Sequence, residues 1–259
     1  MVQAPFILEE GDGPIVATAI HDGHATRPEL GALLALDEAT RLREEDPFTG
    51  RVARRAPTWI IATQSRFEVD LNRTRDKAVY RTVEDAFGLD VWRGPIPEDV
   101  LERSLERYDA FYLALERVLR ERERRHGRFV VLDIHSYNHR RDGADGPEAP
   151  AAKNPEINVG TGTVDRGRWG PLVERFCNDL RRGAGGAAPL DVRENVRFQG
   201  GAMSRWIHQT FPTTGCALAL ELKKTFMDEW TGTVDERRLD GLGEALSSTF
   251  PGLLQSLRA

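Results

Sequence analysis

Apolar residues along this chain fall into two rhythms. Short unbroken apolar runs occupy residues 15–20, 58–63, 129–134 and 216–222, each bounded by turn-forming or polar residues. Runs of that kind suit buried strands of a mostly parallel sheet, where both faces are covered. Between them the period lengthens to that of a helix. Residues 27–43 place Pro28 near the start and carry Leu30, Leu33, Leu34 and Leu42. Residues 98–125 form the longest candidate, with Val100, Leu101, Leu105, Tyr108, Phe111, Tyr112, Leu115, Val118 and Leu119 at helical spacing. Segments 169–182 and 235–246 complete the helical set. Strands alternating with helices predict an α/β fold. The expected form is a single three-layer domain over residues 1–259, with a mostly parallel or mixed sheet and helices on both faces. Residues 140–154, rich in Gly, Ala, Pro and Asp, and the Gly/Ala-rich residues 182–189 are expected to be loops.

Composition narrows the function classes. With 259 residues the chain can bury a core that needs no staples. Lys and Arg total 36 against 41 Asp and Glu, a formal charge of −5, which argues against nucleic-acid or membrane-surface partners. The Arg clusters at 51–55 and 117–128 alternate with apolar or acidic residues and read as solvated faces. Cys177 and Cys216 fall in helix-like and strand-like segments, so two buried free thiols are expected, with a disulfide the lesser alternative. No apolar stretch reaches membrane-spanning length, and the N-terminus lacks a basic region followed by an apolar one. A soluble cytoplasmic protein is the expectation.

Candidate chemistry gathers where the apolar runs end. His21-Asp-Gly-His24 follows the first run, two imidazoles three residues apart on a turn leaving a buried strand. The run 129–134 delivers His135, two residues after Asp133. Three histidines at strand ends suit a catalytic zinc, which takes three protein ligands and leaves a position for water. The carboxyl edge of parallel strands is where α/β proteins place ligands. Glu221 sits inside the apolar run Ala217-Leu-Ala-Leu-Glu-Leu222, a costly place for an unpartnered carboxylate. It reads either as the salt-bridge partner of an arginine or as a general base beside a metal. Asn72 and Arg73 close the stretch Ser65-Arg-Phe-Glu-Val-Asp-Leu-Asn-Arg73. By residue type alone, Arg73 reads first as the ion-pair partner of Asp70 or Glu68, and second as a fork for a carboxylate. Arg205 follows a Gly-Gly pair that suggests close backbone approach. His126 reads as solvated, and His139 and His208 have no assigned role.

Five blocks in one order resemble the N-formylglutamate amidohydrolase family, whose fold is similar to that of the zinc carboxypeptidases: Ala19-Ile-His-Asp-Gly-His24, Val69-Asp-Leu-Asn-Arg73, Asp133-Ile-His-Ser136, Phe198-Gln-Gly-Gly-Ala-Met-Ser-Arg205 and Leu220-Glu-Leu222. The resemblance implies one zinc ion held by His21, His24 and His135, and a carboxylate grip by Asn72 and Arg73. It implies Arg205 as a second anion contact and Glu221 as general base. Arg66 could stabilise an oxyanion, though no motif fixes it. One departure stands out: zinc carboxypeptidases carry glutamate where this chain has His24. Glu45 or Asp46, in Arg43-Glu-Glu-Asp46, could replace or supplement His24. The implied function is a zinc-dependent amidohydrolase acting on a small-molecule or peptide substrate with a free carboxylate, such as an N-formyl or N-acyl amino acid. The rivals are a carboxypeptidase-like hydrolase of a modified peptide and a non-catalytic binder of an acidic ligand.

Overall fold

Seven strands form one mixed sheet in the order β1-β3-β2-β4-β7-β5-β6 in the structure, a computed structural model that describes residues 4–183 and 189–258. The four apolar runs are its centre: β2 (Ile15–Ala19), β3 (Thr58–Ala62), β4 (Phe129–Tyr137) and β7 (Gly215–Lys223) pair in parallel. The edges were not legible in the apolar pattern. β1 (Phe6–Glu10) is antiparallel to β3, β5 (Ile157–Gly160) is antiparallel to β7, and β6 (Val192–Glu194) is parallel to β5. β1 carries glutamates and faces solvent for much of its length, and β6 is three residues long, so neither shows an unbroken apolar run.

Alternate residues of the central strands feed two cores. Ile15, Ala17, Val130, Leu132, Ile134, Cys216, Leu218, Leu220 and Leu222 face one way. They pack with residues of α2 (Thr49–Ala53), α4 (Arg166–Arg182), α6 (Glu236–Ser248) and α7 (Phe250–Arg258). Val16, Ile20, Val131 and Ala217 face the other way, under Phe111, Leu115, Val118 and Leu119 of α3 (Glu98–His126) and Met203 and Ile207 of α5 (Ala202–Thr210). The polar residues Asp133, His135 and Glu221 alternate with Ile134 and Leu220, so they stand on the second face, toward the carboxyl ends of the parallel strands.

The helix expected over 27–43 does not form as one piece. A single turn of 3₁₀ helix spans Pro28–Leu30, and α1 (Glu38–Glu44) starts afresh behind Asp37, whose side chain accepts the Thr40 amide at 2.7 Å. Leu30 and Leu34 instead join Phe67, Val79, Tyr80 and Trp92 in a third cluster. Tertiary burial has overridden the local helical period there. α4 begins three residues before its expected start, at a cap supplied by Asp165, and α6 is capped by Asp235. Both cysteines are buried free thiols. The centre of the expected loop 182–189 lies outside the described residues. Among the described residues, no helix is long and apolar enough to cross a membrane.

One buried ion pair fastens the loop after β3 to α3. Arg27 donates from Nε to Glu68 Oε1 (2.7 Å), from its amide to Glu68 Oε2 (3.0 Å), and from Nη2 to Val100 O and Ser104 Oγ. Arg107 stands 3.3 Å from the same carboxylate. Removing Arg27 strands a fully buried glutamate with one remaining cation. We expect Arg27→Ala to lower unfolding free energy by about 3 kcal/mol in urea titration; a loss within a few tenths would show that Arg107 alone suffices.

Candidate metal centre

Two imidazoles and one carboxylate converge at the carboxyl edge of the sheet. His21 lies two residues past β2, His135 is part of β4, and Asp46 comes from the loop behind α1. One ligand atom from each lies within 4.8 Å of the others, and all three residues are buried. Asp46 Oδ2 is 3.3 Å from His21 Nδ1 and 3.1 Å from His135 Nδ1. Each ring is oriented from behind. His21 Nε2 donates to Asp70 Oδ1 at 2.7 Å, and His135 Nε2 donates to Asp133 Oδ2 at 2.9 Å. Asp133 in turn accepts from Thr18 Oγ1 at 2.7 Å. Tying both Nε2 atoms to carboxylates turns both Nδ1 atoms toward Asp46.

Asp46 is placed by backbone contacts. Its amide donates to His21 O at 2.9 Å, which ties the loop to the end of β2. Buried Lys224 donates to the carbonyls of Arg43 and Glu45 at 2.6 and 2.7 Å. Ser136 Oγ donates to Asp46 Oδ1 at 3.1 Å. Burial alone would raise the Asp46 carboxyl, yet the two imidazoles of His135 and His21 beside it outweigh burial and hold it well below the usual range. Burial likewise pulls the His135 ring down, and the charges and hydrogen bonds of Asp133 and Asp46 carry it well above its ordinary value.

The structure brings together His21 and His135 but not His24. His24 points to Glu45, donating from Nδ1 to Oε2 at 2.5 Å, with Glu38 and Arg41 nearby; the Glu45 hydrogen bond raises its pKa. Glu45 also accepts from Ser65 Oγ. Of the two carboxylates offered as alternatives to His24, Asp46 reaches the imidazoles and Glu45 is occupied elsewhere.

Glu221 is the register partner of His135 on β7. Among the described residues its carboxylate takes part in no hydrogen bond or ion pair, so it does not balance a buried arginine. Burial pushes it up to about 7, with the neighbouring carboxylates Asp46 and Asp133 adding and His135 opposing.

Asp70 gathers the other wall. Besides His21 it accepts from Arg66 Nη2 at 2.8 Å, from the Asn72 amide at 2.8 Å and from the Tyr80 hydroxyl. Burial opposes the charged form of Arg66, and Asp70 more than compensates, so the guanidinium stays charged. Arg73 approaches the same carboxylate only to 3.7 Å and keeps a partly exposed side chain beside Phe87. Asn72 Oδ1 accepts the Met203 amide at 3.2 Å, and a Cβ on Gly201 would stand 2.1 Å from that oxygen. The glycine pair therefore lets the start of α5 close on Asn72. Arg205, one turn on, is exposed and has no hydrogen bond or ion pair among the described residues. Sequence reading singled out neither the hub role of Asp70 nor Lys224, Asn158 and Arg197. Asp70 and Asp133 stood inside quoted motifs, and a buried carboxylate two residues from a candidate ligand was the available signal.

Of the three other histidines, His139 and His208 stand apart from the centre in buried or part-buried contacts of their own. His139 lies 3.2 Å from Glu229 and lines a separate cavity of about 360 Å³ with Arg140 and Glu148. His208 accepts the Ala217 amide at Nε2 (2.9 Å) and contacts Thr163 Oγ1 from Nδ1 (2.8 Å), which assigns the proton of the neutral ring to Nδ1.

The donor set fits a metal. A buried His21 Nδ1 has no hydrogen-bond partner, its ring is fixed by a carboxylate at Nε2, and a second such ring and a carboxylate share the same point. Two histidines and one carboxylate form a known catalytic zinc ligand set. Fold and site together define an α/β protein with a two-histidine, one-carboxylate centre at the carboxyl edge of its sheet. The family model of N-formylglutamate amidohydrolase matches residues 13–227, and the chain belongs to that family. Among solved structures it is similar to an N-formylglutamate amidohydrolase from Ralstonia eutropha JMP134, at 20% identity over 99% of each chain with a TM-score of 0.77. A gene product of Agrobacterium tumefaciens is 18% identical over 97% of this chain and 96% of its own, with a TM-score of 0.67. A metallo-carboxypeptidase from Pseudomonas aeruginosa shares 17% identity over 94% of this chain and 57% of its own, with a TM-score of 0.42. No curated protein matches the chain.

Burial lowers His208 to about 4 from an ordinary 6.5. A depressed folded pKa means that its contribution is full above 6.5 and is lost as pH falls toward 4, when the protonated ring can no longer accept the Ala217 amide. Unfolding free energy should fall by about 3 kcal/mol across that window on account of this residue. His208→Gln, which keeps an acceptor but does not titrate, should flatten that part of the curve. An unchanged slope in the variant would exclude the assignment.

Proposed function

We propose that this protein is a zinc-dependent amidohydrolase that cleaves the amide bond of an N-acyl amino acid bearing a free carboxylate, N-formyl compounds included. The observation that carries the reading is the convergence of His21, Asp46 and His135 beside a glutamate with no other partner. Family membership supports hydrolysis of a C–N bond; the ligand set and the substrate class are inferred from the side chains at the site.

His21, Asp46 and His135 would hold the ion, with Asp70 and Asp133 fixing the two rings. A zinc ion there supplies Lewis acidity for the scissile carbonyl and for water. Glu221 accepts the proton of the attacking water, a role suited to a carboxyl that titrates near 7, and returns it to the leaving nitrogen. Arg66 stays charged against Asp70 and faces the developing oxyanion. Asn72 and Arg73 grip the substrate carboxylate, Arg73 being free enough of Asp70 to turn outward, and exposed Arg205 offers a further anion contact. His24 braces Glu45 and so the loop that carries Asp46.

Metal analysis separates the ligands. Asp46→Ala, His21→Ala and His135→Ala should each lose zinc, whereas His24→Ala should retain most of it. Zinc lost from His24→Ala but kept by Asp46→Ala would reverse the assignment.

Glu221→Gln preserves shape and removes the proton acceptor. It should keep its zinc and its melting temperature while turnover falls by about a hundredfold or more. Near-normal turnover per folded molecule would refute the general-base role.

A further inference from the structure

The loop between β6 and α5 places an unassigned cation at the site. Asn158 on β5 is the register partner of Glu221 on β7, just as Glu221 is of His135 on β4. Fully buried, Asn158 holds the loop by both ends of its amide. Oδ1 accepts the Arg197 amide at 2.9 Å, and Nδ2 donates to Phe198 O at 2.8 Å. The next residues are pressed onto β5: Gly162 donates to Gln199 O at 2.8 Å, and a Cβ on Gly160 would stand 2.6 Å from Gly200 N. The backbone at Arg197 is therefore fixed against β5, the strand next to that of Glu221, rather than carried on a free loop.

Its guanidinium has no ion-pair partner among the described residues, and the more distant charge of Glu221 offsets it only in part. It lies 5.4 Å from the ring centroids of both Tyr137 and Phe198, and Nη1 donates only to the neutral amide of Asn154, at 2.9 Å. Among the described residues it forms no ion pair. Arg141 has none either, and it is close enough that its charge, after burial, helps depress the Arg197 guanidinium. Two guanidiniums near one another, neither in an ion pair among the described residues, are a surface prepared for an anion.

The position along the sheet edge gives that anion a place in the substrate. His21, His135, Glu221 and Asn158 follow one another on or just beyond β2, β4, β7 and β5. Arg73 and Asn72 belong to the His21 side through Asp70, and Arg197 to the Asn158 side. The three converging ligands and Glu221 stand between them.

Resting on the amidohydrolase reading, we propose that Arg197, assisted by Arg141, binds a second anionic group of the substrate, carried on the acyl side of the scissile amide. The preferred substrate is then a dianion whose charges flank the bond that is cut. Arg197 is a specificity residue, and Asn158 positions it.

The test compares two acyl groups of similar size that differ in charge, N-succinyl-alanine and N-butanoyl-alanine, on the zinc-loaded protein. The wild type should favour the succinyl compound. Arg197→Gln should raise KM for it by about ten- to hundredfold, leave kcat largely intact, and leave the butanoyl compound nearly unchanged. Arg141→Gln, at an exposed residue with nothing to unfold, should shift the same KM in the same direction by less. Equal losses on both compounds, or a wild type indifferent to acyl charge, would overturn the proposal. Calorimetric binding of succinate keeps the two readings apart. If the wild type hydrolyses neither of these compounds nor an N-formyl amino acid, the amidohydrolase reading fails, and weaker succinate binding by Arg197→Gln still supports the anion site. Unchanged succinate binding overturns it.

Discussion

The structure around this site hangs on the buried carboxylate of Asp70. Removing a charge from water is costly unless donors replace the lost hydration. Asp70 meets that requirement with His21, Arg66, the Asn72 amide and Tyr80. Satisfying one carboxylate thus fixes an imidazole, a guanidinium and the backbone of the Asn-Arg pair in a single cluster. Asp133 repeats the device on a smaller scale with His135 and Thr18.

Rigidity and reactivity divide along the same lines. Side chains with their hydrogen bonds complete, such as Asp70, Asp133 and Lys224, are the frame. Groups that the frame holds in place but leaves without a hydrogen bond among the described residues are His21 Nδ1 and the Glu221 carboxylate. A folded protein rarely leaves buried polar atoms without partners, so these incomplete groups mark where a ligand belongs. The Glu221 carboxyl illustrates the consequence: with no hydrogen bond or ion pair among the described residues, burial outweighs the charges of His135 and Arg66 and moves it to about 7, where it can both take and return a proton.

That Asp46 rather than His24 meets His21 and His135 is a matter of chain direction. After His21 the backbone runs on beside β3, where Gly23 approaches Thr63 and Gln64 too closely for a side chain, and His24 is carried out toward α1. The loop behind α1 then returns, pinned by the Asp46 amide to His21 O and by Lys224 to two carbonyls, and presents Asp46 instead.

By itself the sequence determined the four central strands, the long helix α3, the α/β class and the presence of His21, His135 and Glu221 at strand positions. Burial on both faces leaves an unbroken apolar run, and a polar residue that interrupts such a run announces itself. The motif blocks added the family. What only tertiary structure decided were the contacts between distant segments. Asp46 reaches His135 across 89 positions, and Asn158 meets Arg197 across 39. No local period encodes such separations. The edge strands and the broken helix over 27–43 escaped for the same reason, since their stability comes from neighbours. Whether a histidine binds a metal or braces a glutamate depends on which carboxylate the fold brings to its ring nitrogens.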